Sequence, residues 1–168
     1  MQILIRLAVA LALACGGAGA ASAAAKLDDV GQIEALEQGF GAAFTAKDVD
    51  KIMSFYAKDN LFVFDLTPPR ERTSWNDYRK DWQDFFAGNP GPAGFTLAEL
   101  NVTAVGTVAF SHGIQDAFVT AGNGSKAEVI SRVTRVYRKT AGKWLIVEEH
   151  VSVPVDLATM KPDLQSKP

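Results

Sequence analysis

Residues Val129 to Pro154, VISRVTRVYRKTAGKWLIVEEHVSVP, constrain the fold more than any other stretch of the chain. Two runs rich in β-branched residues flank Ala141-Gly142, a pattern that predicts two antiparallel strands joined by a tight turn. Side chains alternate between the two faces of a strand. Leu145, Val147, Glu149, Val151 and Val153 therefore share one face of the last strand. Ser131, Val133, Arg135 and Tyr137 share the better-filled face of its partner. These are the more apolar faces, and both are assigned to the inner side. Arg135 and Glu149 then meet on an inner wall as a candidate ion pair, with a partly exposed sheet-edge pair as the alternative. Trp144, Ile146, Glu148, His150 and Ser152 point outward, and a homodimer contact would cover Trp144 and Ile146. A one-residue slip near the turn would exchange the faces and bring Thr134 and His150 inward instead.

The first 23 residues carry one charge, Arg6, then the apolar run Leu7 to Ala14 and a stretch of small residues ending in Ala21-Ser22-Ala23. That order predicts a secretory signal peptide, with the mature chain starting near Ala24 and a secreted or periplasmic destination. Leu13-Ala14-Cys15 offers a second reading, a lipoprotein signal that would anchor the chain to a membrane through Cys15. Removing 23 of 168 residues leaves 145, suited to one domain. The chain divides into a short segment 24–27, a domain over 28–156 and a polar, flexible tail over 157–168. Cys15 is the sole cysteine, so the mature chain has neither disulfide nor thiolate chemistry. The full chain has 17 basic and 19 acidic residues, and losing Arg6 alone leaves the mature chain 17 − 1 = 16 basic residues without a basic stripe, which argues against nucleic acid as a partner.

Apolar residues at Val30, Ile33, Leu36, Phe40, Ala43 and Phe44 fall at helical spacing over 27–46. Asp48 is placed to cap a second helix that turns Val49, Ile52, Met53 and Tyr56 inward. Leu61 to Phe64 reads as a short strand ending at Asp65 before Pro68-Pro69. Ser74 is placed to cap a third helix bearing Trp75, Tyr78, Trp82, Phe85 and Phe86. A Gly- and Pro-rich loop over 88–94 leads into strands over 95–105, 108–120, 129–138 and 143–153. Helices followed by an antiparallel meander predict an α+β fold with the helices on one face of the sheet.

Two of these segments carry a resemblance. KDVDKIMSFYAKDNLFVFD, from Lys47 to Asp65, is similar to the helix-strand unit of the nuclear transport factor 2-like superfamily. GKWLIVEEHVSVP, from Gly142, resembles the closing strand of its SnoaL-like and ketosteroid-isomerase-like branch. The likeness covers about residues 28 to 154. It implies a cone-shaped fold in which a curved, mostly antiparallel sheet wraps around the N-terminal helices and leaves a pocket, and it implies dimers. The association domain of calmodulin-dependent kinases resembles the hairpin too, with an arginine at the place of Arg135.

The resemblance makes Asp65 a candidate base, since an aspartate at the matching position of the isomerases moves a proton between carbons flanking a carbonyl. Apolar surroundings raise a carboxylate's proton affinity toward working pH. An Asx-type turn before Leu66-Thr67-Pro68 is the plainer reading. The isomerases stabilise the enolate with a tyrosine and a protonated aspartic acid. The matching positions here are Phe40 and Thr134, or Arg135 with one insertion, so steroid isomerisation itself is not expected. Tyr78 is a replacement donor, with Trp75 as an aromatic wall, although both also fit a plain core. Arg135, if unpaired, would hold an anionic group. His150 reads as structural or interfacial, with pocket acid/base as the alternative. Candidate catalytic residues are thus Asp65, Arg135 and Tyr78; candidate ligand contacts are Phe40, Trp75, Glu149, Thr134 and His150. The expected ligand is a small hydrophobic or anionic organic molecule. Neither metal nor cofactor is expected, because no H-x-H, H-E-x-x-H, phosphate loop or dinucleotide fingerprint occurs.

Overall fold

The computed structural model describes residues 27–166; the expected signal peptide, its cleavage site and Cys15 lie outside them. Each helix starts where a short acceptor side chain can satisfy its first free N–H groups. Asp28 accepts from Gly31 N to open α1 (Asp29–Ala46), and Asp48 accepts from Lys51 N to open the single-turn α2 (Val49–Met53). Ser74 accepts from Asp77 N to open α3 (Trp75–Gly88). Between α2 and α3 runs the short strand β1 (Phe62–Phe64). Four long strands follow: β2 (Ala93–Val105), β3 (Val108–Thr120), β4 (Lys126–Thr140) and β5 (Lys143–Ser152).

The sheet order is β1-β5-β4-β3-β2, antiparallel except that β1 runs parallel to β5. The sheet curves and stays open, and the helices fill its concave side. This is the α+β cone expected from the sequence. The Ile33, Leu36, Phe40 and Phe44 stripe of α1 is buried in the core. Phe40 and Phe44 meet Phe95 of β2 at ring separations of 5.4 and 5.5 Å. Gly41 lets the helix come this close, because a Cβ there would stand 2.8 Å from the Phe95 ring.

One irregularity changes the predicted faces of β5. Arg135 pairs with Glu149 and Val136 with Glu148, but Tyr137 pairs with Ile146, so Val147 is an extra residue in the ladder. The bulge puts Trp144 and Ile146 on the same side as Glu149 and Val151. Trp144 is 5% and Ile146 0% exposed within the single chain. The expectation that they point outward is therefore corrected: Leu145 and Val147 exchange sides with them, and no subunit is needed to cover the tryptophan. Glu149 and Val151 do face inward, as do Ser131, Val133, Arg135 and Tyr137.

Beyond Pro154 the chain forms a small hairpin of β6 (Val155–Asp156) and β7 (Lys161–Pro162), whose second strand falls within the tail expected over 157–168. Ile130 N donates to Leu164 O, which ties this segment to the start of β4. Among the described residues no helix is long and apolar enough to cross a membrane.

Candidate functional site

Between the helices and the inner sheet face lies a cavity of about 370 Å³. Seven aromatic side chains line it: Phe40 and Phe44 of α1, Tyr78, Trp82 and Phe85 of α3, and Phe95 and Phe118 of the sheet. Pro162 and Leu164 of the C-terminal segment lie along it too. One wall is polar, and it is continuous.

Arg135 is at the centre of that wall, 1% exposed. Its Nε donates to Glu149 Oε2 at 2.5 Å, the cross-strand partner the register sets opposite it. Its Nη1 donates to Glu37 of α1. Its guanidinium lies 4.4 Å from the centre of the Phe40 ring. Although burial pulls its proton affinity down, the facing Glu149 and Glu37 carboxylates hold it well above the usual value, so Arg135 stays cationic. Tyr137 donates to Glu37, and Ser111 Oγ lies 2.7 Å from Tyr137 Oη. Glu149 further accepts from Tyr56 Oη at 3.0 Å and from Tyr78 Oη at 3.1 Å. Buried charges persist only when hydrogen-bonded in this way.

Asp65 ends this chain of contacts at the cavity. Its Oδ1 accepts from the N–H of the next residue, Leu66, at 2.6 Å, one residue short of the contact that defines an Asx-type turn, while Oδ2 lies 3.4 Å from Tyr78 Oη. Tyr78 has one proton and two carboxylates to serve. A proton on Asp65 relieves that competition, because Asp65 can then donate to Tyr78 while Tyr78 donates to Glu149. Burial first, and the Glu149 charge second, raise the pKa of Asp65 above its ordinary value. Burial likewise lifts Tyr56, Tyr78 and Tyr137 well above the phenolic range, so all three remain protonated donors. Asp65 is left as the group on this wall whose raised proton affinity moves toward working pH.

Arg72 frames the cavity from the side. Its side chain donates to Asp81 and to the carbonyls of Thr67, Pro68 and Pro69, which fastens the loop after β1 to α3.

Of the residues singled out from sequence, Asp65, Tyr78, Phe40, Arg135 and Glu149 converge on the cavity. Three do not. Trp75 lines a different depression with Tyr56, Leu145 and Val147, and its indole N–H donates to Met53 O. Thr134 and His150 are cross-strand partners exposed on the outer face, where the imidazole packs edge-on against Phe64. Their placement as ligand contacts is corrected by the register: Arg135 and Glu149 hold the inner positions, so their chain neighbours must point out. Arg135 already holds two carboxylates, so the condition attached to its anion-holding alternative, an unpaired guanidinium, is not met.

Glu37, Tyr56 and Tyr137 were not singled out for the site. Glu37 had a usable signal: it stands four residues after Ile33 and three before Phe40, inside the apolar stripe of α1. Among the described residues no group of three or more His, Cys, Asp or Glu side chains is placed to hold a metal ion.

The sequence profile of the SnoaL-like domain matches residues 33–156. A nuclear transport factor 2-like protein of unknown function from Pseudomonas putida has a similar structure. It is 27% identical with a TM-score of 0.74, and the match covers 85% of this chain and 100% of that one. A candidate scytalone dehydratase from Novosphingobium aromaticivorans superposes with a TM-score of 0.67 at 12% identity, over 75% of this chain and 84% of that one. The association domain of calcium/calmodulin-dependent protein kinase II from C. elegans does so with a TM-score of 0.59 at 19% identity, over 73% and 94%. The last two likenesses are of fold alone. A comparison with curated proteins finds no match.

Proposed function

Because the chain belongs to the SnoaL-like domain family, we propose that its cone binds a small organic molecule and that Asp65 moves a proton on it without a cofactor. The observation that carries this reading is the raised proton affinity of Asp65 at an aromatic cavity, with Tyr78 linking it to Glu149. The step is of isomerase or hydratase type. The Asp65 carboxylate takes a proton from a carbon beside a carbonyl, and the C–H electrons pass to the carbonyl oxygen. Return of the proton to the same or a neighbouring carbon restores the carboxylate. Fold neighbours that include a candidate dehydratase support acid/base work in such a cone.

Deuterium exchange at the carbons flanking the carbonyl of 2-tetralone, followed by NMR, tests the proton transfer directly. The wild-type protein is expected to accelerate exchange, with a rate that rises with pH through the elevated pKa of Asp65, because the base form accumulates there. Asp65→Asn should lose about 100-fold or more of that acceleration. Equal rates for the two proteins would refute the role of Asp65.

One observation favours a second reading, binding without turnover. The three tyrosine hydroxyls and the Nε and Nη1 donors of Arg135 are committed to Glu149 and Glu37, whereas an enolate oxygen needs donors of its own. Ligand retention without exchange would establish it. Export through the N-terminal segment and homodimerisation through the outer sheet face complete the proposal; the intact mass of exported protein, starting at Ala24 or carrying lipid on Cys15, checks the first.

A further inference from the structure

Two polar groups in the cavity have no part in the Glu37–Arg135–Glu149 network. Gln115 of β3 is 8% exposed, and its Nε2 donates to Ser131 Oγ at 3.2 Å, but its Oε1 is buried without a partner. Trp82 of α3 buries an indole N–H that has none either. Both residues line the same cavity. A buried acceptor and a buried donor left open in one apolar space are costly to the empty protein. A hydroxyl, which both donates and accepts, is a group that can serve either of them. Reversing the Gln115 amide would leave an open donor in place of the acceptor, and a hydroxyl serves that as well.

The position of Gln115 gives the ligand its layout. In the sheet order, β3 is three strands from β1, whose end carries Asp65; at about 4.8 Å per strand this is roughly 14 Å measured along the sheet. Along β4, Ser131 lies four residues from Arg135, about 13 Å in an extended strand. The Gln115–Ser131 pair is thus apart from the charged wall. Around the cavity the carboxyl groups of Glu37, Glu149, Asp65 and Asp81 outnumber the guanidinium groups of Arg135 and Arg72, each already paired, which disfavours an anionic ligand. The aromatic lining suits a ring, and about 370 Å³ is the space of roughly a dozen waters at ~30 Å³ each, enough for two fused rings.

We propose that Gln115 and Trp82 form a hydroxyl-reading subsite, and that the ligand is an uncharged aromatic molecule with a hydroxyl on the part remote from Asp65. The inference rests on the ligand-binding reading of the cone, though not on Asp65 being a base.

Titration of the full chain at neutral pH with 2-naphthol, naphthalene and 2-naphthoate, followed by tryptophan fluorescence, tests it. The wild-type protein should bind 2-naphthol about tenfold more tightly than naphthalene and bind the carboxylate most weakly. Gln115→Met, which keeps the side-chain length, should abolish the preference for 2-naphthol while leaving naphthalene affinity intact. Its melting temperature without ligand should equal or exceed that of the wild type, as expected when an unsatisfied amide is removed. Trp82→Phe should reduce the preference independently, read by calorimetry. Equal wild-type affinities for 2-naphthol and naphthalene, or a preference that survives Gln115→Met, would overturn the subsite and leave the ligand-binding reading standing. Failure of both neutral probes to bind would overturn the ligand-binding reading as well.

Discussion

Arg135 carries the greatest electrostatic demand of any single residue here. It is a guanidinium sealed from water, and Glu37 and Glu149 hold it from opposite elements, a helix and a strand. Removing the cation would strand two buried carboxylates, whereas removing one carboxylate leaves an ion pair. Arg135→Ala is therefore expected to destabilise the fold by about 3–5 kcal/mol, and Glu37→Gln by less. Chemical denaturation of the two variants measures both, and a loss below about 1 kcal/mol for Arg135→Ala would mean that solvent screens the pair. The Arg135–Glu149 half of this cluster was legible, because strand alternation places both residues on the inner face. Glu37 was harder to see. Helix periodicity puts it on the buried stripe, but only a cation arriving from a strand 98 residues away makes an acid tolerable there.

At the scale of the element, β5 shows how one inserted residue decides what a strand contributes. Perfect alternation would have faced Trp144 and Ile146 to solvent and put Leu145 and Val147 in the core. The bulge at Val147 instead lets both halves of the strand point their bulkiest apolar groups inward. Trp144→Ala is accordingly expected to cost about 3–5 kcal/mol through a cavity inside one chain. Its melting temperature should fall equally at low and high protein concentration. A loss confined to concentrations where subunits associate would show that the indole is an interface residue. Helix starts, by contrast, were readable in advance: Asp48 and Ser74 cap α2 and α3 through contacts that reach only three residues along the chain.

For the whole molecule, the open question is what meets the convex side of the sheet. With Trp144 and Ile146 buried, the case for a dimer moves to Phe110 and Val108, each 49% exposed, and to Phe64 at 37%. Light scattering at micromolar concentration is expected to give twice the monomer mass, and Phe110→Lys to return it to the monomer value. A monomer in the unaltered protein would refute the contact. On the concave side, the C-terminal segment contributes Pro162 and Leu164 to the cavity.

The amino-acid sequence by itself determined the kinds and order of the elements from α1 to β5, since caps, glycine turns and hydrophobic periods act over a few residues. It also determined that Arg135 and Glu149 share a face, because alternation is a local rule. The tertiary structure alone decided that Glu37 completes their charge cluster, that a bulge turns Trp144 inward, and that Gln115 and Trp82 are left with open polar atoms in one cavity. Each of these depends on groups far apart in the chain, and only packing brings them within hydrogen-bonding or van der Waals range.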